Sequence, residues 1–437
     1  KLPRFALPVA ATAILEQLFN ASDIAIVGNF SSGDKTVAVA AVGANSPLIG
    51  LILNLFIGIA LGANVVIANA IGRKDMQSVK KAVHTALIVA VLSGIVVTVI
   101  GELVAGKVMG LLHVPDDVFS EALLYLRIYL LGLPVIFLYN FEAAVFRSIG
   151  DTKIPLQALL ISGVLNVILN LFFVIVCDLS VVGVALASAI SQCVSAFLIL
   201  RALTRVQDCY ALDVHQLHLD PATTKSILAL GVPAGFQNAI FAIANLFIQA
   251  GVNSFDSLMV KGNSAANMIY DCMAAFYMAC ASFMSQNYGA GKPDRVKKSY
   301  FISLGYSFGV GLALGSALFF FGRTFLALFT TESAVIDAGM KRVAVMAFAY
   351  CISAFMDCTI AASRGLGKTV VPTIIVVMGS CVFRVIWVYT IFAHFHTIPA
   401  LYLLYPCSWT LTAFAEILYF VHCYKQSMAL FKEPQAA

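Results

Sequence analysis

The first apolar stretch of the sequence carries three side chains that could do chemistry: Glu16, Asn20 and Asp23. Their spacing of four and then three residues places them on one face of an α-helix. An ionisable group inside a membrane costs about 3 kcal/mol, so its presence there indicates a functional site. Asp23 is therefore a candidate for binding a cation or a proton.

Two further apolar stretches supply partners for Asp23: Asn166 and Asn170 lie one helical turn apart in one, and Ser188 lies in the next. At about 1.5 Å of rise per residue, all four side chains lie roughly 9 to 15 Å below the outer membrane surface. One carboxylate with amide and hydroxyl oxygens suits a monovalent cation, and a carboxylate can also carry a proton. In the alternative interpretation, the asparagines have a structural role: they hold the helices together by hydrogen bonds and satisfy the carboxylate of Asp23.

The second half of the sequence also places charge inside apolar stretches, at Asp271, Asp357 and Arg384. Asp271 and Arg384 both lie roughly 12 Å below the outer surface, so we expect them to form an ion pair. Asp357 lies about 9 Å from the inner end of its helix, where an interfacial position is an equally good interpretation.

The stretch that contains Asp271 also carries aromatic and methionine side chains, which include Tyr270, Met273, Phe276 and Tyr277. Aromatic faces attract desolvated cations, and methionine adapts to ligands of different shape. These residues therefore predict a substrate pocket, although such a stripe is also typical of a helix core.

Composition places all these residues in a membrane protein. The chain has 437 residues, of which 61% are hydrophobic and 11% charged, and its mean hydropathy is +0.93, which excludes an ordinary soluble domain. The apolar runs are continuous rather than alternating, which predicts helices and not a barrel. We predict about twelve transmembrane helices, near 5–29, 46–70, 79–103, 121–147, 154–176, 180–205, 226–254, 260–288, 296–321, 333–363, 370–392 and 398–424.

The sequence repeats itself. Arg147-Ser148-Ile149-Gly150-Asp151-Thr152-Lys153-Ile154-Pro155 returns 217 residues later as Arg364-Gly365-Leu366-Gly367-Lys368-Thr369-Val370-Val371-Pro372. The offset predicts an N-terminal six-helix lobe at 1–205, a cytoplasmic linker at 206–225 and a C-terminal six-helix lobe at 226–437. Internal repeats are typical of secondary transporters that work by alternating access.

The distribution of lysine and arginine predicts the orientation. Most of the 27 basic residues fall in segments on one side when both termini are placed in the cytoplasm, as expected in a plasma or inner membrane. This bias accounts for the net charge of +5, so we expect no nucleic-acid partner. No nucleotide, dinucleotide or zinc motif is evident, so we expect no cofactor and no enzyme activity.

Several motifs in order resemble the multidrug and toxic compound extrusion (MATE) family: Pro8, Asp23-Ile24-Ala25-Ile26-Val27-Gly28, the doubled Arg-x-x-Gly-x-Thr-x-x-Pro loops, Asn166-x-x-x-Asn170 and Gly183-Val184-Ala185-Leu186-Ala187-Ser188. The resemblance implies two six-helix bundles in a V shape that export organic cations in exchange for Na⁺ or H⁺. It also implies that Asp23, Asn166, Asn170 and Ser188 form the family's amino-terminal cation site.

This chain departs from the family pattern in two ways. Asn170 stands where that site usually has a second aspartate, and the seventh helix carries no carboxylate. The resemblance is therefore to a DinF-like branch with coupling in the first half, and we expect a monomer. The alternative function is a flippase of lipids or lipid-linked oligosaccharides in the same superfamily, although Arg384 is the only basic residue deep in a predicted helix.

Overall fold

The computed structural model describes residues 2–31, 34–111, 114–253, 275–327 and 333–429, which contain helices and no strands. The first half has six long helices: α1 Leu2–Phe30, α2 Lys35–Arg73, α3 Met76–Leu111, α4 Asp116–Ile149, α5 Lys153–Leu171 and α6 Ser180–Arg205. The second half contains α7 Pro221–Asn253, α8 at 275–289, α9 Pro293–Ala327, α10 Ser333–Gly365, α11 Val370–Phe395 and α12 Ile398–Ala429.

The all-α membrane fold predicted from the sequence is confirmed. Within the described ranges, eleven helices are long and apolar enough to cross a membrane, and α8 is described over only part of its predicted length. Most helices are longer than their apolar runs because the polar flanks continue the same hydrogen-bonded backbone. For example, α3 begins at Met76, ahead of Lys80 and Lys81, and ends at Leu111.

The doubled loop is a helix stop followed by a helix start. Gly150 ends α4 in the left-handed conformation with φ +95°, and its N–H donates to the carbonyls of Phe146 and Arg147. Gly367 does the same after α10 with φ +78°, donating to the carbonyl of Arg364 at 2.8 Å. Glycine adopts this conformation without a Cβ clash, which explains its recurrence in both copies.

Two helices widen into π-helical turns. The axis of α5 continues through a π-helical segment at Phe172–Val176, directly after Asn170. Within α11, π-helical segments at Val377–Val382 and Val388–Phe392 flank the short α-helical segment Phe383–Trp387, which carries Arg384. Such widened turns are frequent at functional sites.

The chain forms two compact units. One consists of Ala11–Ile67 and Asp75–Leu228, and the other of Lys1–Ala10, Ala68–Lys74 and Ala229–Ala437. In the first unit, a Cβ built on Gly163 of α5 would lie 1.9 Å from the ring of Phe19 on α1. Small residues therefore allow close helix approach next to the predicted ion site.

In the second unit, the C-terminal end of α2 packs against α8 through the repeat-related glycines Gly72 and Gly289. A Cβ on Gly72 would lie 2.0 Å from the carbonyl oxygen of Gln286, and one on Gly289 would lie 2.2 Å from that of Asn69. Asn69 and Gln286 are themselves 217 residues apart, so the two close approaches are a symmetric pair.

Candidate functional site

The Asp23 side chain of α1 lies in the first unit and is 8% exposed. Its Oδ1 accepts a hydrogen bond from Nδ2 of Asn170 at 2.5 Å, and its Oδ2 accepts one from Oγ of Ser188 at 3.3 Å. The carboxylate is thus held by α5 and α6 together. Hydrogen bonds to a charged acceptor are the strongest kind in proteins, and each contributes about 1.5–3 kcal/mol.

Asn166 closes this arrangement into a ring. Its Nδ2 donates to Oγ of Ser188 at 3.4 Å, and its Oδ1 accepts from Nδ2 of Asn170 at 3.1 Å. The spacing of four residues brings Asn166 and Asn170 onto the same face of α5. We call the four side chains of Asp23, Asn166, Asn170 and Ser188 the Asp23 ring.

One oxygen atom of the Asp23 ring accepts no hydrogen bond from the described residues. Oδ1 of Asn170 is buried and has no hydrogen-bond partner in the described part of the chain. A buried carbonyl oxygen without a donor costs about 1–3 kcal/mol. A bound cation would remove this cost, and the ring already supplies the carboxylate, amide and hydroxyl oxygens that suit a monovalent ion. In the described residues, no cluster of three or more His, Cys, Asp or Glu side chains offers a transition-metal site.

Two tyrosines of α4 lie within electrostatic range of Asp23, namely Tyr125 and Tyr129. Their rings stack with centroids 6.3 Å apart. They did not emerge from the sequence, because tyrosine in an apolar helix is typical of a core. Their spacing of four residues is the one signal that indicates a shared face.

The other two polar residues of α1 lie outside the ring. The residues Glu16 and Asn20 are exposed, whereas Asp23 is buried. Glu16 interacts electrostatically with Tyr129, Tyr139 and Arg147 of α4. The predicted common face of α1 therefore divides into a buried end at Asp23 and an exposed part.

In the second unit, Arg384 is 1% exposed. Its Nε donates to Oγ of Ser408 at 3.1 Å. The guanidinium carbon lies 5.3 Å, 4.7 Å and 5.8 Å from the ring centroids of Phe241, Tyr405 and Trp409. Asp271, its predicted partner, lies outside the described residues. Asp357 is buried on α10, with 8% of its surface exposed.

The predicted substrate pocket is described only in part, because Tyr270 and Met273 lie outside the described residues. Phe276 packs in a buried cluster with Leu2 and Phe5 of α1, and its ring stacks on Tyr306 with centroids 5.9 Å apart. Tyr277 is half-buried on the next position of α8.

Two glutamates that the sequence analysis did not single out are fully buried. Glu142 on α4 and Glu416 on α12 are both 0% exposed, and neither carboxyl group has a hydrogen-bond partner among the described residues. Glu142 lies seven residues before the end of α4, and Glu416 lies near the middle of α12, in a stretch that is otherwise apolar. The apolar residues that flank each of them in sequence are the signal that could have identified them.

Comparison with known proteins agrees with this architecture. The MatE family model matches residues 8–172 and 233–390, which is more than half of the chain. The probable multidrug resistance protein YoeA of Bacillus subtilis is 26% identical over 384 residues, covering 85% of this chain and 82% of YoeA. The probable multidrug resistance protein NorM of Thermotoga maritima is 23% identical over 391 residues, covering 86% of this chain and 82% of NorM.

A solved structure shares the fold. It is described as the outward-facing conformation of a multidrug resistance MATE family transporter, and it superimposes with a TM-score of 0.88 at 20% identity. The superposition covers 99% of this chain and 96% of the solved chain. At this identity the likeness shows the fold.

Proposed function

The chain belongs to the MatE family of multi-pass membrane transporters, and on that premise we propose that it is a secondary active antiporter that exports organic cations in exchange for Na⁺ or H⁺ by alternating access. The observation that carries this proposal is the Asp23 ring, in which one buried carboxylate is held by side chains of two other helices. The flippase alternative has no comparable observation in its favour.

In the proposed cycle the coupling ion binds at Asp23. A proton adds to one carboxylate oxygen, and Na⁺ instead takes that oxygen together with amide and hydroxyl oxygens of the ring. Either ion neutralises Asp23, which weakens the hydrogen bonds that Asn170 and Ser188 donate to it. The hold of α5 and α6 on α1 therefore depends on ion occupancy, and this dependence is the proposed link between the ion and the helix rearrangement.

The ring contains a single acid, so we propose that it binds one positive charge per cycle. Asn170 supplies an uncharged amide at a position where a second carboxylate would allow two positive charges to bind. This arrangement accords with a DinF-like branch with coupling in the first half. For the rest of the molecule we propose lobes at 1–205 and 226–437 joined by a linker at 206–225, cytoplasmic termini, a plasma-membrane location and a monomeric state.

Reconstituted liposomes test the proposal. Uptake of a fluorescent organic cation is measured under an imposed Na⁺ gradient and, separately, under a proton gradient. Asp23→Asn keeps the size of the side chain and removes its charge, and Asp117→Asn is the matched control because Asp117 is exposed at the start of α4. We expect one gradient to drive uptake in the wild type and the control but not in Asp23→Asn. Equal uptake by both variants would refute the role of Asp23.

A further inference from the structure

The second unit contains a column of buried polar side chains that the proposed function does not use. Ser408, Thr412 and Glu416 follow one another at four-residue spacing on α12 and are 0%, 1% and 0% exposed. Above them, Arg384 of α11 donates to Oγ of Ser408 at 3.1 Å. At mid-height, the hydroxyls of Thr412 and Ser380 are 2.9 Å apart. We call these five side chains the α12 polar column.

Glu416 lies at the inner end of the α12 polar column. In the described part of the chain neither carboxyl oxygen accepts or donates a hydrogen bond, although the side chain is completely buried. An ionised carboxylate in such a place costs several kcal/mol unless charges and hydrogen bonds compensate it. A protonated carboxyl is uncharged and supplies an O–H donor, so the site favours a bound proton over a bare charge.

The groups around Glu416 determine when the proton leaves. Arg364 of α10 lies within electrostatic range, and its hydrogen bond at 2.9 Å goes to Oε1 of Gln237 on α7. Asp357, also on α10, interacts with Cys358. Gly379 and Ser380 of α11 lie beside Thr412 of α12. One turn further along α12, Glu416 is therefore level with residues 375–376 of α11, which are apolar. Tyr419, one turn along α12, also lies within electrostatic range.

We propose that Glu416 is a second proton-binding site of this transporter, in the unit that does not contain Asp23. Hydronium gives its proton to the carboxylate, which leaves a neutral carboxylic acid and water. When the proton leaves, the new negative charge attracts the Arg364 guanidinium away from Gln237. The contact that joins α10 to α7 then gives way to one that joins α10 to α12.

The proposal also assigns a role to the doubled loop motif, since Arg364 and Arg147 are its repeat-related arginines. Arg147 interacts electrostatically with Glu16 of α1, and Arg364 hydrogen-bonds to Gln237 of α7. Each motif arginine thus lies in the last turns of the fourth helix of its half and interacts with the first helix of that half, Arg147 electrostatically and Arg364 by a hydrogen bond. In the second half, Glu416 competes for this connection and makes it dependent on protonation.

Infrared difference spectroscopy tests the proposal on the full-length protein in lipid nanodiscs, titrated through the neutral pH range. The readout is the carbonyl stretch of protonated carboxylic acids. We expect a titrating component that is lost in Glu416→Gln but kept in Asp23→Asn and in Glu121→Gln, a control at an exposed glutamate of α4. Glu416→Asp should keep the component at a shifted frequency, which separates loss of the acid from loss of the fold.

Proton uptake measured with a pH dye gives a second readout. We expect Glu416→Gln to take up about one proton fewer per molecule than the wild type over the same pH change. Identical spectra and identical uptake in Glu416→Gln and the wild type would show that Glu416 neither binds nor releases a proton over this pH range and would overturn the proposal. Because neither readout requires transport, a failure of the proposed antiport leaves this result standing, and the reverse also holds.

Discussion

The close approach of α5 to α1 at Gly163 offers a sensitive test of the site. A Cβ at position 163 would lie 1.9 Å from the Phe19 ring, about 1.5 Å short of ordinary van der Waals contact. Gly163→Ala therefore forces the ring or the whole of α1 to move. Overpacking of this kind costs about 1–3 kcal/mol.

The functional consequence follows from the neighbouring hydrogen bonds. Gly163 lies one turn before Asn166, and Asp23 lies one turn after Phe19. A movement of about 1.5 Å would stretch the 2.5 Å bond between Asp23 and Asn170 to about 4 Å, beyond hydrogen-bonding distance. Losing a charge-assisted bond of at least 1.5 kcal/mol changes an affinity by about tenfold.

Thermal unfolding in detergent and the half-saturating ion concentration for transport measure the two effects. We expect Gly163→Ala to lower the apparent Tm and to shift the half-saturating concentration by about tenfold. Gly106→Ala is the control, because a Cβ there meets nothing within 4 Å. In a double-mutant cycle, Phe19→Ala should restore part of the stability that Gly163→Ala loses. A Gly163→Ala protein with wild-type stability and ion dependence would refute the packing argument.

Three further predictions concern other parts of the molecule. Gly289→Ala should destabilise the protein by about 1–3 kcal/mol and so lower its apparent Tm, because the new Cβ would lie 2.2 Å from a backbone carbonyl oxygen of α2. Gly305→Ala is the control and should leave the Tm unchanged, because a Cβ there meets no atom within 4 Å. Asn170→Asp puts a second carboxylate next to Asp23, so transport should become more steeply dependent on pH, and an unchanged pH profile would contradict the proposed ring. Hydrogen bonds from the first turn of α7 lower the pKa of Asp220, so its stabilisation is present above about pH 4 and is lost as the pH falls through the lowered value. Asp220→Ala should therefore reduce the Tm at pH 7, and the reduction should shrink progressively as the pH is lowered below about 4.

The sequence predicted the helices and the grouping of the Asp23 ring for physical reasons. Continuous apolar runs allow only helices in a membrane, because every backbone polar group must be satisfied internally. The ring was predictable since spacing sets the helix face and counting residues sets the depth. Counting residues gave the common depth of these side chains, and the family resemblance implied that they face one another.

Glu142, Glu416 and the tyrosines near Asp23 were not predictable in the same way. Whether a polar residue of a helix points outward or into the helix bundle depends on helix rotation, which apolar runs of this kind do not specify. Glu16 shows the same limit in reverse, since its spacing from Asp23 suggests a buried neighbour but its side chain is exposed. Helix lengths were underestimated because hydropathy marks the membrane and not the end of the hydrogen-bonded backbone.

The most direct test of antiport is to reverse it. Liposomes containing the protein are given an outward gradient of an organic cation, with no ion gradient, and entry of Na⁺ or H⁺ is followed with radioactive sodium or an internal pH dye. Ion entry driven by the organic cation in the wild type, and absent in Asp23→Asn, is the predicted result. Organic cation leaving without any counter-movement of Na⁺ or H⁺ would contradict the exchange mechanism.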